Sequence, residues 1–139
     1  MEGSERVNGS FARSFSKRKV LVVDDNSDSI TILRLLLEGN GLQVATAQSG
    51  SEALDQLAGD LPDVVLLDVM MPEMSGFEVL ERIRTNPALG RLPVVMVTAK
   101  MDDQDMLEGY QHGADYYITK PCTEKQLLYG LSLVLSQSE

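Results

Sequence analysis

The chain has 139 residues, 43% of them hydrophobic and 24% charged, with 12 Lys and Arg against 21 Asp and Glu for a formal charge of −9. That is the length and make-up of one globular domain with a core of its own. The acidic balance argues against direct binding of nucleic acid, the single cysteine (Cys122) excludes an intramolecular disulfide, and no apolar run approaches the roughly 20 residues of a membrane span.

Residues 1–17, MEGSERVNGSFARSFSK, are polar and rich in Ser, Gly and Arg, and read as a flexible tail. They carry no apolar secretory core, so the expectation is a cytoplasmic domain over 18–139. Its first apolar run, Val20 to Val23, is continuous rather than alternating, which suits a strand covered on both faces and therefore a parallel sheet. Asp24 and Asp25 end it. Ile30, Leu33, Leu36 and Leu37 then recur at helical spacing and stop at Gly39-Asn40-Gly41. Gln43 to Ala47 is a weaker strand, and Ala53, Leu54 and Leu57 mark a short helix.

The second continuous run, Val64 to Leu67, ends in Asp68. A helix with Phe77, Leu80 and Ile83 follows and stops at Asn86-Pro87. The run Val94 to Val97 ends in Thr98. Asp102 to His112 is a poorer helix with Met106 and Tyr110 on one side. Tyr116 to Thr119 has the β-branched and aromatic content of a strand and is followed by Lys120. Thr123-Glu124-Lys125-Gln126 is a capping-box pattern that opens a last helix bearing Leu127, Leu128, Leu131, Val134 and Leu135.

Five β–α units with right-handed crossovers give a doubly wound α/β three-layer sandwich. In such sheets ligands bind beyond the C-terminal ends of the strands. The residues expected there are Asp24, Asp25, Asp68, Thr98 and Lys120. Three converging carboxylates need either raised pKa values or a bound cation, and oxygen-only ligands suit Mg²⁺. A carboxylate beside such an ion and an ammonium group can attack a phosphoryl group to give an acyl phosphate. Each residue alone has a plainer reading: Asp24-Asp25 as a helix cap, Thr98 as a strand end, Lys120-Pro121 as a turn. Their joint placement at the ends of four strands favours a site.

These residues resemble the receiver domain of response regulators in two-component signalling. The matching segments are LVVDDN with Asp24 and Asp25, VVLLDVMMPEMSGFE with Asp68, VVMVTA with Thr98, and ADYYITKP with Lys120 and Pro121. The likeness runs from about Arg18 to Ser136. It implies a flavodoxin-like (βα)5 fold with strand order 2-1-3-4-5. It implies Asp68 as phosphoacceptor, and Mg²⁺ held by Asp25, Asp68 and the backbone carbonyl of Met70, with Asp24 acting through water. Thr98 and Lys120 would bind the phosphoryl group, and the Lys120-Pro121 peptide would be cis. Gly76 fits the turn into the third helix.

The likeness also implies a switch in which Thr98 moves toward the phosphoryl group and Tyr117 rotates inward from the surface. The output face would be Asp102 to His112, Tyr116 to Thr119 and the last helix. The expected partners are a sensor histidine kinase or phosphotransfer protein, and a downstream protein target or fused effector. No enzymatic action on an external substrate is expected. An Asp-nucleophile phosphatase would usually carry a second Asp two residues past the first, where this chain has Met70, which cannot move protons. A nucleotide or flavin module would need a glycine-rich loop after the first strand, and that loop is Asp-Asp-Asn-Ser-Asp. A docking-only domain would not need the full set of five polar residues. Cys122 stands where the family often has Phe, and reads as a packing residue; His112 reads as a surface residue.

Overall fold

The computed structural model describes residues 15, 17–99 and 103–137. Five strands, β1 (Lys19–Val23), β2 (Gln43–Ala47), β3 (Val64–Leu67), β4 (Val94–Thr98) and β5 (Tyr116–Thr119), form one sheet in the order β2-β1-β3-β4-β5. All four pairings are parallel, with Val23 beside Ala47 and Leu67, and Thr98 beside Thr119. Five helices alternate with the strands: α1 (Ser27–Glu38), α2 (Gly50–Gly59), α3 (Gly76–Thr85), α4 (Asp103–Gln111) and α5 (Glu124–Gln137). This is the expected doubly wound, flavodoxin-like architecture.

The caps explain the helix starts. Asn26, Ser49 and Ser75 accept hydrogen bonds from backbone N–H groups of the first turns of α1, α2 and α3, and Ser75 and Glu78 complete a capping box. The Thr123 box also forms: its hydroxyl accepts from Gln126 N–H at 3.0 Å, and Gln126 Oε1 accepts from Thr123 N–H at 2.9 Å. Because Asn26 caps α1, the plainer reading of Asp24-Asp25 as the cap is set aside.

Side chains alternate across each strand, so the sheet has two apolar faces. Val20, Val22, Leu66, Val95 and Ile118 pack under α1 and α5 against Ile30, Leu33, Leu37, Leu127 and Leu131. Leu21, Val23, Leu67 and Met96 pack on the other side against Ala53, Leu57, Val79, Leu80 and Ile83 of α2 and α3. Burial of this kind contributes about 2 kcal/mol per large aliphatic side chain.

One boundary needs correction. Phe15, placed by sequence in the tail, is only 1% exposed and belongs to the α1–α5 side of the core. Its carbonyl accepts from Arg18 N–H at 2.9 Å, and Lys17 N–H reaches the Gly41 carbonyl at 3.4 Å. An isolated aromatic without period gives no signal in sequence, yet one ring suffices to close the end of a core. The rest of the segment read as a tail, residues 1–14 and 16, lies outside the described residues.

Candidate functional site

Chain direction brings the polar residues together. Asp24 follows β1, Asp68 follows β3, Thr98 is the last residue of β4, and Lys120 follows β5. In a parallel sheet these ends share one edge. The edge is tied by backbone hydrogen bonds: Asp68 N–H donates to the Val23 carbonyl at 3.0 Å, Asp24 N–H to the Ala47 carbonyl at 3.0 Å, and Lys120 N–H to the Thr98 carbonyl at 2.9 Å.

Asp24, Asp68 and Thr98 are buried, whereas Asp25 is exposed. One carboxylate oxygen from each of Asp24, Asp25 and Asp68 lies within 4.8 Å of the others. Lys120 Nζ ion-pairs with Asp24, lies 3.4 Å from Asp68 Oδ2, and also reaches Ser29 Oγ at 3.4 Å. Asp24 Oδ1 accepts from Asn26 N–H at 2.9 Å, and Asp68 Oδ1 from Met70 N–H at 3.2 Å. The Thr98 hydroxyl hydrogen-bonds the Asp68 carboxylate. Thus Asp24, Asp25, Asp68, Thr98 and Lys120 all converge. Met70 lies beside them through its backbone, its side chain 54% exposed.

Burial is the largest influence on Asp68 and raises its carboxyl pKa above the ordinary range. The Asp24 charge pushes the same way, while Lys120, the Met70 N–H and Thr98 pull back. Burial alone would lower the Lys120 ammonium, but the hydrogen bond and charge of Asp24 and the charge of Asp68 outweigh it and hold its pKa above the ordinary lysine value. One ammonium against three carboxylates leaves the edge with excess negative charge. A hard cation with oxygen ligands fits that donor set, with Asp24, Asp25 and Asp68 as the side chains able to hold it.

Gly76 shows why the loop after Asp68 can lie so close. A Cβ there would sit 2.2 Å from the Asp68 carbonyl oxygen, and Gly76 N–H donates to the Val69 carbonyl at 2.9 Å. Only glycine lets the N-terminus of α3 pass over the phosphoacceptor candidate's backbone. The Lys120-Pro121 peptide is cis, as expected.

Tyr117 occupies the inward position, 6% exposed, its ring 5.4 Å from that of Tyr110 in an edge-on arrangement. That is the inward of the two positions the implied switch names, and β5 presents the ring to the apolar face beside Met96. His112 sits at the surface beyond α4, its side chain 36% exposed, with its ring stacked 6.1 Å from that of Phe77. Cys122 packs partly against the core, and burial raises its thiol pKa, in keeping with a packing role. Sequence reasoning missed Ser29 and Phe15. The first is one turn into α1 and pairs with Lys120 only through the fold.

The comparisons with known proteins agree with this geometry. The family model for the response regulator receiver domain matches residues 20–131. The alkaline phosphatase synthesis transcriptional regulatory protein PhoP of Bacillus subtilis is 38% identical over 88% of this chain and 50% of its own length. The response regulator PleD of Caulobacter vibrioides is 39% identical over 78% of this chain and 24% of its own. The chain therefore spans half or less of these two relatives. Among solved structures, a putative response regulator from Chloroflexus aurantiacus superposes with a TM-score of 0.83 at 35% identity, covering 87% of this chain and 99% of that one. The chemotaxis protein CheY4 of Vibrio cholerae does so with a TM-score of 0.82 at 33% identity, covering 86% and 100%. The family model covers most of the chain and the strand order is the one its fold implies, so this chain belongs to the response regulator receiver domain family.

Proposed function

We propose that the chain is a phosphorylation-dependent signalling switch in which Asp68 is the phosphoacceptor. The observation that supports this most directly is a buried carboxylate at the end of the central strand, 3.4 Å from an ammonium and within 4.8 Å of two further carboxylate groups. An oxygen of Asp68 attacks phosphorus, the bond from phosphorus to the donor breaks, and the donor leaves with that electron pair. Asp68 reacts as the carboxylate, so no proton is taken from it. Lys120 and the Thr98 hydroxyl bind the transferred oxygens and offset their charge. Asp24, Asp25, Asp68 and the Met70 carbonyl would hold Mg²⁺, which supplies charge neutralisation when bound. The donor is a phosphohistidine of a sensor kinase or phosphotransfer protein.

The output passes through α4, β5 and α5 to a protein target or a fused effector, without direct contact to nucleic acid. Phosphorylation biases an existing equilibrium between Thr98 and Tyr117 arrangements. The chain catalyses only its own phosphorylation and dephosphorylation; the exposed Met70, two residues past Asp68, offers no proton to an external phosphoester. Action in the cytoplasm belongs to the same proposal; among the described residues no helix is long and apolar enough to cross a membrane.

Intact mass after incubation with Mg²⁺ and a small-molecule phosphodonor tests this reading. One added phosphoryl group, absent with chelator and in Asp68→Asn, is the expected result. An adduct that survives in Asp68→Asn, or turnover of an external phosphoester, overturns it.

A further inference from the structure

Tyr117 is held inward by an absence on the neighbouring helix. Its ring lies over α4 at Gly109, in the last turn of the helix. A Cβ built on Gly109 would fall 1.9 Å from Tyr117 Oη, 2.4 Å from Cε2 and 2.5 Å from Cζ. Those distances are far below van der Waals contact, and they involve the ring itself as well as its hydroxyl tip. A small rotation of the hydroxyl cannot relieve them. Glycine is a poor choice for a helix interior, where alanine serves best. The space it leaves is filled by the ring, with Tyr110 against its edge.

We propose that Gly109 is the positioning residue of the switch: its missing side chain is the notch that admits the inward Tyr117 ring, and any side chain there drives the ring outward. This rests on the proposed role of Thr98 and Tyr117 in signalling, and adds a residue to it. Gly109 acts on the ring and does not touch Asp68 or Lys120. A side chain at 109 therefore fixes the output face while leaving the phosphoacceptor and its lysine in place. The surface it alters is the one carrying Tyr110, the exposed ring that meets the Tyr117 ring edge-on.

The test uses the full chain labelled with 3-fluorotyrosine, the Tyr117 resonance being assigned with Tyr117→Phe. In the native chain that resonance should resist broadening by a soluble paramagnetic agent. In Gly109→Ala it should move and broaden, while intact mass still shows one phosphoryl group taken up. An unmoved, protected Tyr117 resonance in Gly109→Ala overturns the proposal. A second measurement guards against a variant that folds poorly. In a Tyr117→Ala background, Gly109→Ala should raise Tm by about 3 °C, since the conflict is gone and alanine favours the helix. A fall in Tm there as large as in the native background also overturns the notch. If instead the native Tyr117 resonance ignores phosphorylation but still moves in Gly109→Ala, the notch stands and the switch reading fails.

Discussion

The C-terminal edge of the sheet holds two regions built on different physics. Around β1 and β3, Asp24, Asp68 and Lys120 are positioned by charge and hydrogen bonds, each partly satisfying a group that burial disfavours. Around β4, β5 and α4, Tyr117 is positioned by shape, with a ring fitted to a glycine and an aromatic neighbour. A charge-held site tolerates isosteric neutral substitutions in its fold but loses its chemistry. A shape-held site should do the reverse, keeping the chemistry and losing the geometry.

Substitutions can break or sharpen that contrast. The largest effect expected on folding is at Phe15, whose buried ring sets the scale: Phe15→Ala should cost about 3–5 kcal/mol in denaturant unfolding. A loss under about 1 kcal/mol would return Phe15 to the tail. Gly76→Ala comes next, because its Cβ meets backbone rather than a movable side chain. We expect about 3 kcal/mol of destabilisation together with slowed phosphoryl uptake, a shape defect expressed in the charge-held site.

Lys120→Ala should cost about 2 kcal/mol by leaving Asp24 and Asp68 without their ammonium. It should permit some phosphorylation while uncoupling it from the Tyr117 position. Its pH dependence follows from a folded pKa held above the ordinary 10.5. The stability that Lys120 contributes is fully present below 10.5 and is lost as pH rises through the higher folded value, so native and Lys120→Ala unfolding curves should converge only in strong alkali.

Asp68→Asn should have the smallest effect on stability and the opposite sign. Because burial raises the Asp68 pKa, its ionised form opposes folding. Without divalent cation, the variant should be more stable by about 1 kcal/mol at neutral pH. That gain should shrink as pH falls through the raised folded value toward the ordinary 3.8, where the native carboxyl is protonated too. A variant less stable than the native chain at neutral pH would show that Lys120, rather than burial, dominates at Asp68.

Most of the charge-held region was legible in sequence. Asp24, Asp25, Asp68, Thr98 and Lys120 each end a strand, and a parallel sheet puts all strand ends on one edge. The continuous apolar runs were enough to infer that sheet. The shape-held region was not legible in the same way. Gly109 reads in sequence as a weak spot in a poor helix, and nothing local says which ring lies over it. Phe15 failed for a related reason: a lone aromatic in a polar stretch carries no period. The family likeness implied a switch role for Tyr117, but its buried position depended on the face that β5 turns to α4.

By itself the sequence determined the order of elements, the fold class and the chemical character of one sheet edge, because hydrophobic period and strand-end chemistry are local properties. The tertiary structure decided what those residues do to one another. It set the excess of carboxylates over ammonium groups at Asp68, the passage of Gly76 over the Asp68 carbonyl and the seating of Tyr117 on Gly109. These are distances between residues far apart in the chain, and close packing alone fixes them.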